Sequence, residues 1–128
     1  MTRIRIKRVY EPAAPEDGYR VLVDKLWPRG VRREALHYDV WAKDITPSAE
    51  LRAWFHADPV SRWPEFRREY TGQLRSSQAA WEFVREIEGK DTVTLLYASK
   101  NASANHALVL REYLERATER AAAVATNA

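Results

Sequence analysis

The chain contains no cysteine. That single absence removes disulfides, thiolate nucleophiles and cysteine-ligated metals together, and it suits a reducing compartment. Glycine is scarce as well, at four in 128 residues, too few for a rich phosphate-cradling loop. Neither the P-loop pattern, nor Gly-x-Gly-x-x-Gly, nor Gly-x-Ser-x-Gly occurs. Long apolar runs are missing too, so nothing approaches the roughly 20 residues that span a bilayer. The opening Met1-Thr2-Arg3-Ile4-Arg5-Ile6-Lys7 lacks the continuous apolar segment of a signal peptide. A cytoplasmic protein without a membrane partner is the expectation. His37, His56 and His106 are far apart and no His-x-x-x-His pair occurs, so no two histidines fall on one helix face. No metal and no cofactor are expected.

Charge of one sign is also in short supply. The formal net charge is +3, and its distribution says more than its size. Residues 1–35 hold nine Lys/Arg against five Asp/Glu, a local sum of +4, while the remainder holds twelve against thirteen. The bias favours an anionic ligand near the first third of the chain. Scattered surface arginines would give the same count.

What is present is an ordinary globular composition, 45% hydrophobic and 30% charged, long enough for one domain and one core. Two stretches organise it. Arg20-Val21-Leu22-Val23 is an apolar run that ends in Asp24, followed by Lys25, Leu26, Trp27 and a Pro28-Arg29-Gly30 break. Thr92 to Tyr97 is a second such run, followed by Ala98-Ser99-Lys100-Asn101 and a helix opening near Asn105-His106. Consecutive apolar residues predict strands covered on both faces. Residues 3–9 alternate and predict a half-buried edge strand, its orientation open; residues 38–42 suit a short third strand. Thr46-Pro47 and Asp58-Pro59 are helix starts, although Pro64 favours Ser61 for the second. Gly72 and Ser76-Ser77 suggest a break, Gln78 to Gly89 a third helix, and Ser103 to about Arg116 a closing one. Leu51, Trp54, Trp63, Phe66, Tyr70, Leu74, Trp81, Val84, Leu110 and Leu114 recur at helical spacing and should face the core. The expected architecture is a single α/β domain over residues 1–117, with a mostly parallel central sheet flanked by helices, and a frayed tail over 118–128.

In such sheets ligands collect at the carboxyl ends of the strands. Asp24, Trp27, Arg29, Lys43, Asp44, Tyr97 and Lys100 would lie there, with Arg20 close by. His106 and Asn105 open a helix, where unpaired N–H groups and the dipole welcome an anion. His106 suits a neutral base or donor, or a histidine bonded to a carboxylate or carbonyl. Asp24 suits either a catalytic carboxylate coupled to His106 or a structural ion pair with Arg29. Arg29, beside Trp27, suits recognition of phosphate or carboxylate, or a loop arginine stacked on the indole.

The stretches Arg20–Gly30, Trp41–Ser48, Leu51–Phe55 and Thr94–Ala98, with Asn105-His106-Ala107, resemble the YeaO-like family, a branch of the bacterial group called domain of unknown function 488. The resemblance runs from about Ile4 to Glu115. It implies a single cytoplasmic α/β domain with no established activity. In the wider group a cysteine often ends the last strand and Cys-His-Arg opens the last helix. The matching positions here are Tyr97 and Asn105-His106-Ala107, so thiol chemistry does not carry over.

Three functions compete: a small-molecule binder or enzyme acting on an anionic ligand in the strand-end cleft, a nucleic-acid module using the basic first third, and an interaction domain without chemistry. The first fits the convergence of polar groups. The second lacks aromatic residues interleaved with basic ones, and the rest of the chain offsets the basic third. In anisotropy titrations at about 150 mM salt, duplex DNA and single-stranded RNA should therefore bind no tighter than about 1 µM, outside the range of specific recognition.

Overall fold

The computed structural model describes residues 2–127, with side chains as far as Val124. Four strands, β1 (Arg3–Arg8), β2 (Tyr19–Leu22), β3 (Val40–Trp41) and β4 (Thr92–Tyr97), form one sheet in the order β1-β4-β2-β3. Every pairing is parallel, including the open question of β1, whose Arg3 to Arg8 register against Thr92 to Tyr97. The two strands with consecutive apolar residues are the central neighbours, as the α/β reading requires. Helices α1 (Ala49–Ala57), α2 (Pro59–Arg75), α3 (Gln78–Ile87) and α4 (His106–Asn127) complete the domain.

The two faces of the sheet are covered differently. Ile4, Val21, Val23, Val93, Leu95 and Tyr97 join the buried sides of all four helices in one core. Val9, Leu22 and Leu96 face the other way and are covered by the β2–β3 connection, through Leu36, Trp27, Val31 and Tyr38. One layer is helix and the other is a folded loop rich in aromatic side chains.

Beneath the β1–β2 connection, on the loop-covered side, lies a buried carboxylate. Asp17 takes the ammonium of Lys7 from β1 at 3.1 Å, the guanidinium of Arg20 from β2, and the Ala14 N–H at 3.0 Å. The carbonyl of Asp17 accepts the hydroxyl of Thr94 from β4 at 2.7 Å. Burial pushes the Asp17 carboxyl up, but the Ala14 N–H, Lys7 and Arg20 together hold it below its ordinary value. Gly18 makes the turn into β2 at φ 64°, and a Cβ there would stand 2.4 Å from the Thr92 carbonyl oxygen, so no other residue fits.

Several local expectations are corrected. The cap of α1 is Ser48, whose hydroxyl accepts from Leu51 N at 3.2 Å; Thr46 instead donates its hydroxyl to the Lys43 carbonyl, closing a 3-10 turn. Asp58 caps α2 and Pro59 is its first residue. Pro64 sits inside α2 without ending it, because the Val60 carbonyl it leaves unpaired belongs to a residue 89% exposed, where water can serve. Gly72 is ordinary helix, and the break falls at Ser76-Ser77. Trp81 is exposed, stacked under Arg85 on the outer side of α3, because Ala80, Phe83, Val84 and Ile87 define the inner face. Trp54 and Trp63 are half-buried. The last helix starts at His106 rather than Ser103, and it continues past residue 117 to Asn127, with Thr118 buried. Ala128, the end of the expected tail, lies outside the described residues.

Leu110 is fully buried at the centre of the helical layer, so Leu110→Ala should lower the unfolding free energy by about 2–5 kcal/mol in chemical denaturation. Asp17 gives a pH signature. Its folded-state value is depressed, so its contribution is complete above about pH 4, the unfolded-state value, and is lost as pH falls through the folded one. Denaturation midpoints of the wild type should therefore fall more steeply below about pH 4 than those of Asp17→Asn, which has no carboxylate to protonate.

Candidate functional site

The carboxyl edge of the sheet is tied together by one residue. Asp24 follows the last residue of the β2 ladder, where Val23 N still donates to Leu96 O at 3.0 Å. Its side chain accepts the Ala98 N–H at 3.1 Å, joining the end of β2 to the end of β4. The indole N–H of Trp41 donates to the Asp24 carbonyl at 2.7 Å, joining the end of β3. His106, the first residue of α4, brings Nε2 to 2.9 Å from Asp24 Oδ1 and 3.0 Å from the Val23 carbonyl oxygen. Three strand ends and a helix start thus meet at one carboxylate.

Nε2 of His106 faces two acceptors, so it carries a hydrogen. The geometry directs that hydrogen to Val23 O. Asp24 Oδ1, although close to the ring and shielded from solvent, receives no well-aligned hydrogen bond. Nδ1 has no partner among the described residues, and the side chain keeps 20% of its surface exposed. A carboxylate and a carbonyl that fix one ring nitrogen, with the other left free, form an arrangement able to accept a proton from a ligand or, once protonated, to donate to an anion.

The other expected site residues divide. Lys43 is held over the Trp41 ring at 4.4 Å from its centroid. Arg29, Lys100 and Asp44 are exposed, and among the described residues the side chains of Arg29 and Lys100 form no ion pair or hydrogen bond. Asp24 therefore pairs with His106 and not with Arg29. Arg20 is buried away from the edge, bound to Asp17 and to the His37 carbonyl at 2.7 Å. Trp27 packs edge-on against Tyr38 and Trp41 and donates to the Val31 carbonyl at 2.6 Å, beneath Arg33. Tyr97 is in the helical core. Asn105 is buried, and its side-chain oxygen accepts Leu108 N at 3.0 Å, so it occupies part of the place assigned to an anion at the helix start. Asn101 does the same for Ser103 N and Ala104 N, both at 3.0 Å.

Sequence reasoning passed over two contributors. Arg8, at the end of β1, donates to the carbonyls of Ala98 and Ser99 at 3.1 and 3.0 Å and fixes the loop that leads to His106. His56, on the last turn of α1, lies close enough to be influenced by His106; partial burial first, then His106 and Arg52, hold its imidazole below the ordinary value. The signal for Arg8 was its place at a strand end. Nothing in the local sequence of His56 marked it. Among the described residues no group of three His, Asp or Glu side chains could hold a metal ion, and no helix is long and apolar enough to cross a membrane.

A family model described as "Inactive DUF488-N3 subclade" matches residues 3–128. The chain belongs to this family. It is 47% identical over 111 residues to the uncharacterised protein YeaO of Escherichia coli K12, covering 87% of this chain and 96% of that one. It is 42% identical over 113 residues to the uncharacterised protein Rv3073c of Mycobacterium tuberculosis, covering 88% and 94%. No solved structure matches the chain.

Proposed function

We propose that the protein binds a small molecule bearing phosphate or carboxylate groups at the carboxyl edge of its sheet. The observation that carries this reading is the contact of Asp24 with His106, which fixes the imidazole through Nε2 and leaves Nδ1 without an internal partner. A free ring nitrogen on a held imidazole is a preorganised contact for a ligand. Arg29, Lys43 and Lys100 follow the strand ends on the same edge and supply positive charge around it. Between binding and turnover, the word "Inactive" in the family description favours binding. The positions where the resemblance implies thiols in the wider group are here Tyr97 and Asn105, one packed in the core and the other capping a helix. On this reading the protein works in the cytoplasm, where phosphorylated and carboxylated metabolites reside.

A thermal-shift screen of sugar monophosphates and of di- and tricarboxylates, none with adjacent phosphoryl groups, tests the proposal, because a ligand that binds only the folded state raises the melting temperature. At least one compound should shift the wild type, and His106→Ala should weaken its binding roughly tenfold or more by calorimetry. Arg3→Ala, at the amino end of β1, should leave that binding unchanged. A screen without any shift, or a shift that survives His106→Ala, sinks the reading.

A further inference from the structure

The strongest concentration of charge lies elsewhere. Helices α2 and α4 pack side by side, and a groove of about 740 Å³ runs between them. Arg67, Arg68 and Arg75 line it from α2, Arg116 and Arg120 from α4. Glu112 is the one acid on its walls, 2.7 Å from Arg67 and 3.6 Å from Arg116. Arg68, Arg75 and Arg120 form no ion pair among the described residues. Five guanidiniums against one carboxylate leave four positive charges in a groove of a chain whose total is +3, so the rest of the molecule sums to −1.

Such crowding works against the fold. Arg116 and Arg120 are one helical turn apart, a spacing at which like charges repel, and the α2 arginines face them across the groove. A solvated face would mix signs; this one shares a single glutamate. All five cations are arginine, whose planar fork pairs with two phosphate oxygens at once. The volume falls within the range of small-ligand sites, roughly 300–1,000 Å³. A long duplex would have to run beyond the groove, and the rest of the molecule, at a formal −1, offers it no further net positive charge, so the charge distribution favours a compact ligand. The side chain of Tyr113, half-buried on the floor, adds a flat surface.

We infer that the α2–α4 groove binds a small polyanion with adjacent phosphoryl groups, of the tripolyphosphate or nucleoside-triphosphate kind. The site is separate from the carboxyl edge: Glu112 is six residues, about 9 Å of helix axis, along α4 from His106. Vicinal phosphates span several arginines at once, whereas a single phosphate engages one or two.

Isothermal calorimetry with inorganic tripolyphosphate, ATP and orthophosphate at about 150 mM salt tests it, a salt level at which scattered surface contacts are screened. Tripolyphosphate should bind one to one, at least about tenfold tighter than orthophosphate. The double variant Arg68→Ala/Arg120→Ala should weaken it roughly tenfold or more while the far-ultraviolet circular dichroism stays that of the wild type, since both side chains are exposed. Arg68→Lys/Arg120→Lys, which keeps the charge and removes the fork, should lie between the two. His106→Ala should bind as the wild type does. ATP matching tripolyphosphate assigns the affinity to the phosphates, and ATP exceeding it adds the base on Tyr113; both support the inference. No heat at about 1 mM tripolyphosphate, binding indifferent to the arginine substitutions, or a 20-base-pair duplex binding more tightly than tripolyphosphate at the same salt would overturn it.

Discussion

The buried carboxylate of Asp17 is the constraint on which the sheet depends. Three strands contribute to its surroundings, Lys7 from β1, Arg20 from β2 and Thr94 from β4, and the last bonds the main chain of the same residue. Each cation alone would be costly to bury, and so would the carboxylate. Together with the Ala14 N–H they satisfy one another only when β1 and β2 flank β4 in the observed register. A slip of one residue would carry Arg20 to the helical face, into the apolar core. The cluster therefore specifies order and register more than it adds stability. Gly18 is part of the same device, because the chain turns into β2 against the Thr92 carbonyl with no room for a side chain.

A second polar hub at the opposite end of the strands has a different character. Asp17 is enclosed and every charge near it is answered. Asp24 ties three strand ends to α4, yet one of its oxygens has no aligned donor, and the ring beside it keeps a free nitrogen. Incomplete satisfaction in a half-buried setting is what separates a candidate site from a structural lock. The contrast also explains why Arg20 and Asn105 serve the fold: each has found its partners within the chain.

Much of this was legible in the sequence where local chemistry dictates structure. Val21-Leu22-Val23 and Val93 to Leu96 announced central strands because residues apolar on both sides have no other place to go. Asp24 and His106 could be brought to one edge because each follows or opens an element at a strand end. The role of Arg20 was hidden because its partner lies across a glycine turn that no periodicity marks. Trp81 looked like core from its helical spacing to Val84, yet Ala80, Phe83, Val84 and Ile87 take the inner face of α3 and leave it outside. The basic groove was invisible to a count along the chain: Arg67 and Arg120 sit within stretches whose acids cancel them, and only the packing of α2 on α4 separates the charges in space.

The parallel pairing of β1 with β4 has a consequence for how the chain reaches this state. Arg8 finds its carbonyl partner at Ser99, 91 residues later. Until β4 has been made, β1 has no neighbour in the sheet, for β2 lies on the far side of the missing strand. The first strand of this sheet in chain order therefore cannot complete its pairing before β4 is present, and the contact order is weighted toward slow, non-local closure. During that wait Ile4 and Ile6 remain unpaired and uncovered. The arginines and lysine that alternate with them, Arg3, Arg5 and Lys7, keep the waiting strand soluble and discourage it from adding to the edge of another sheet.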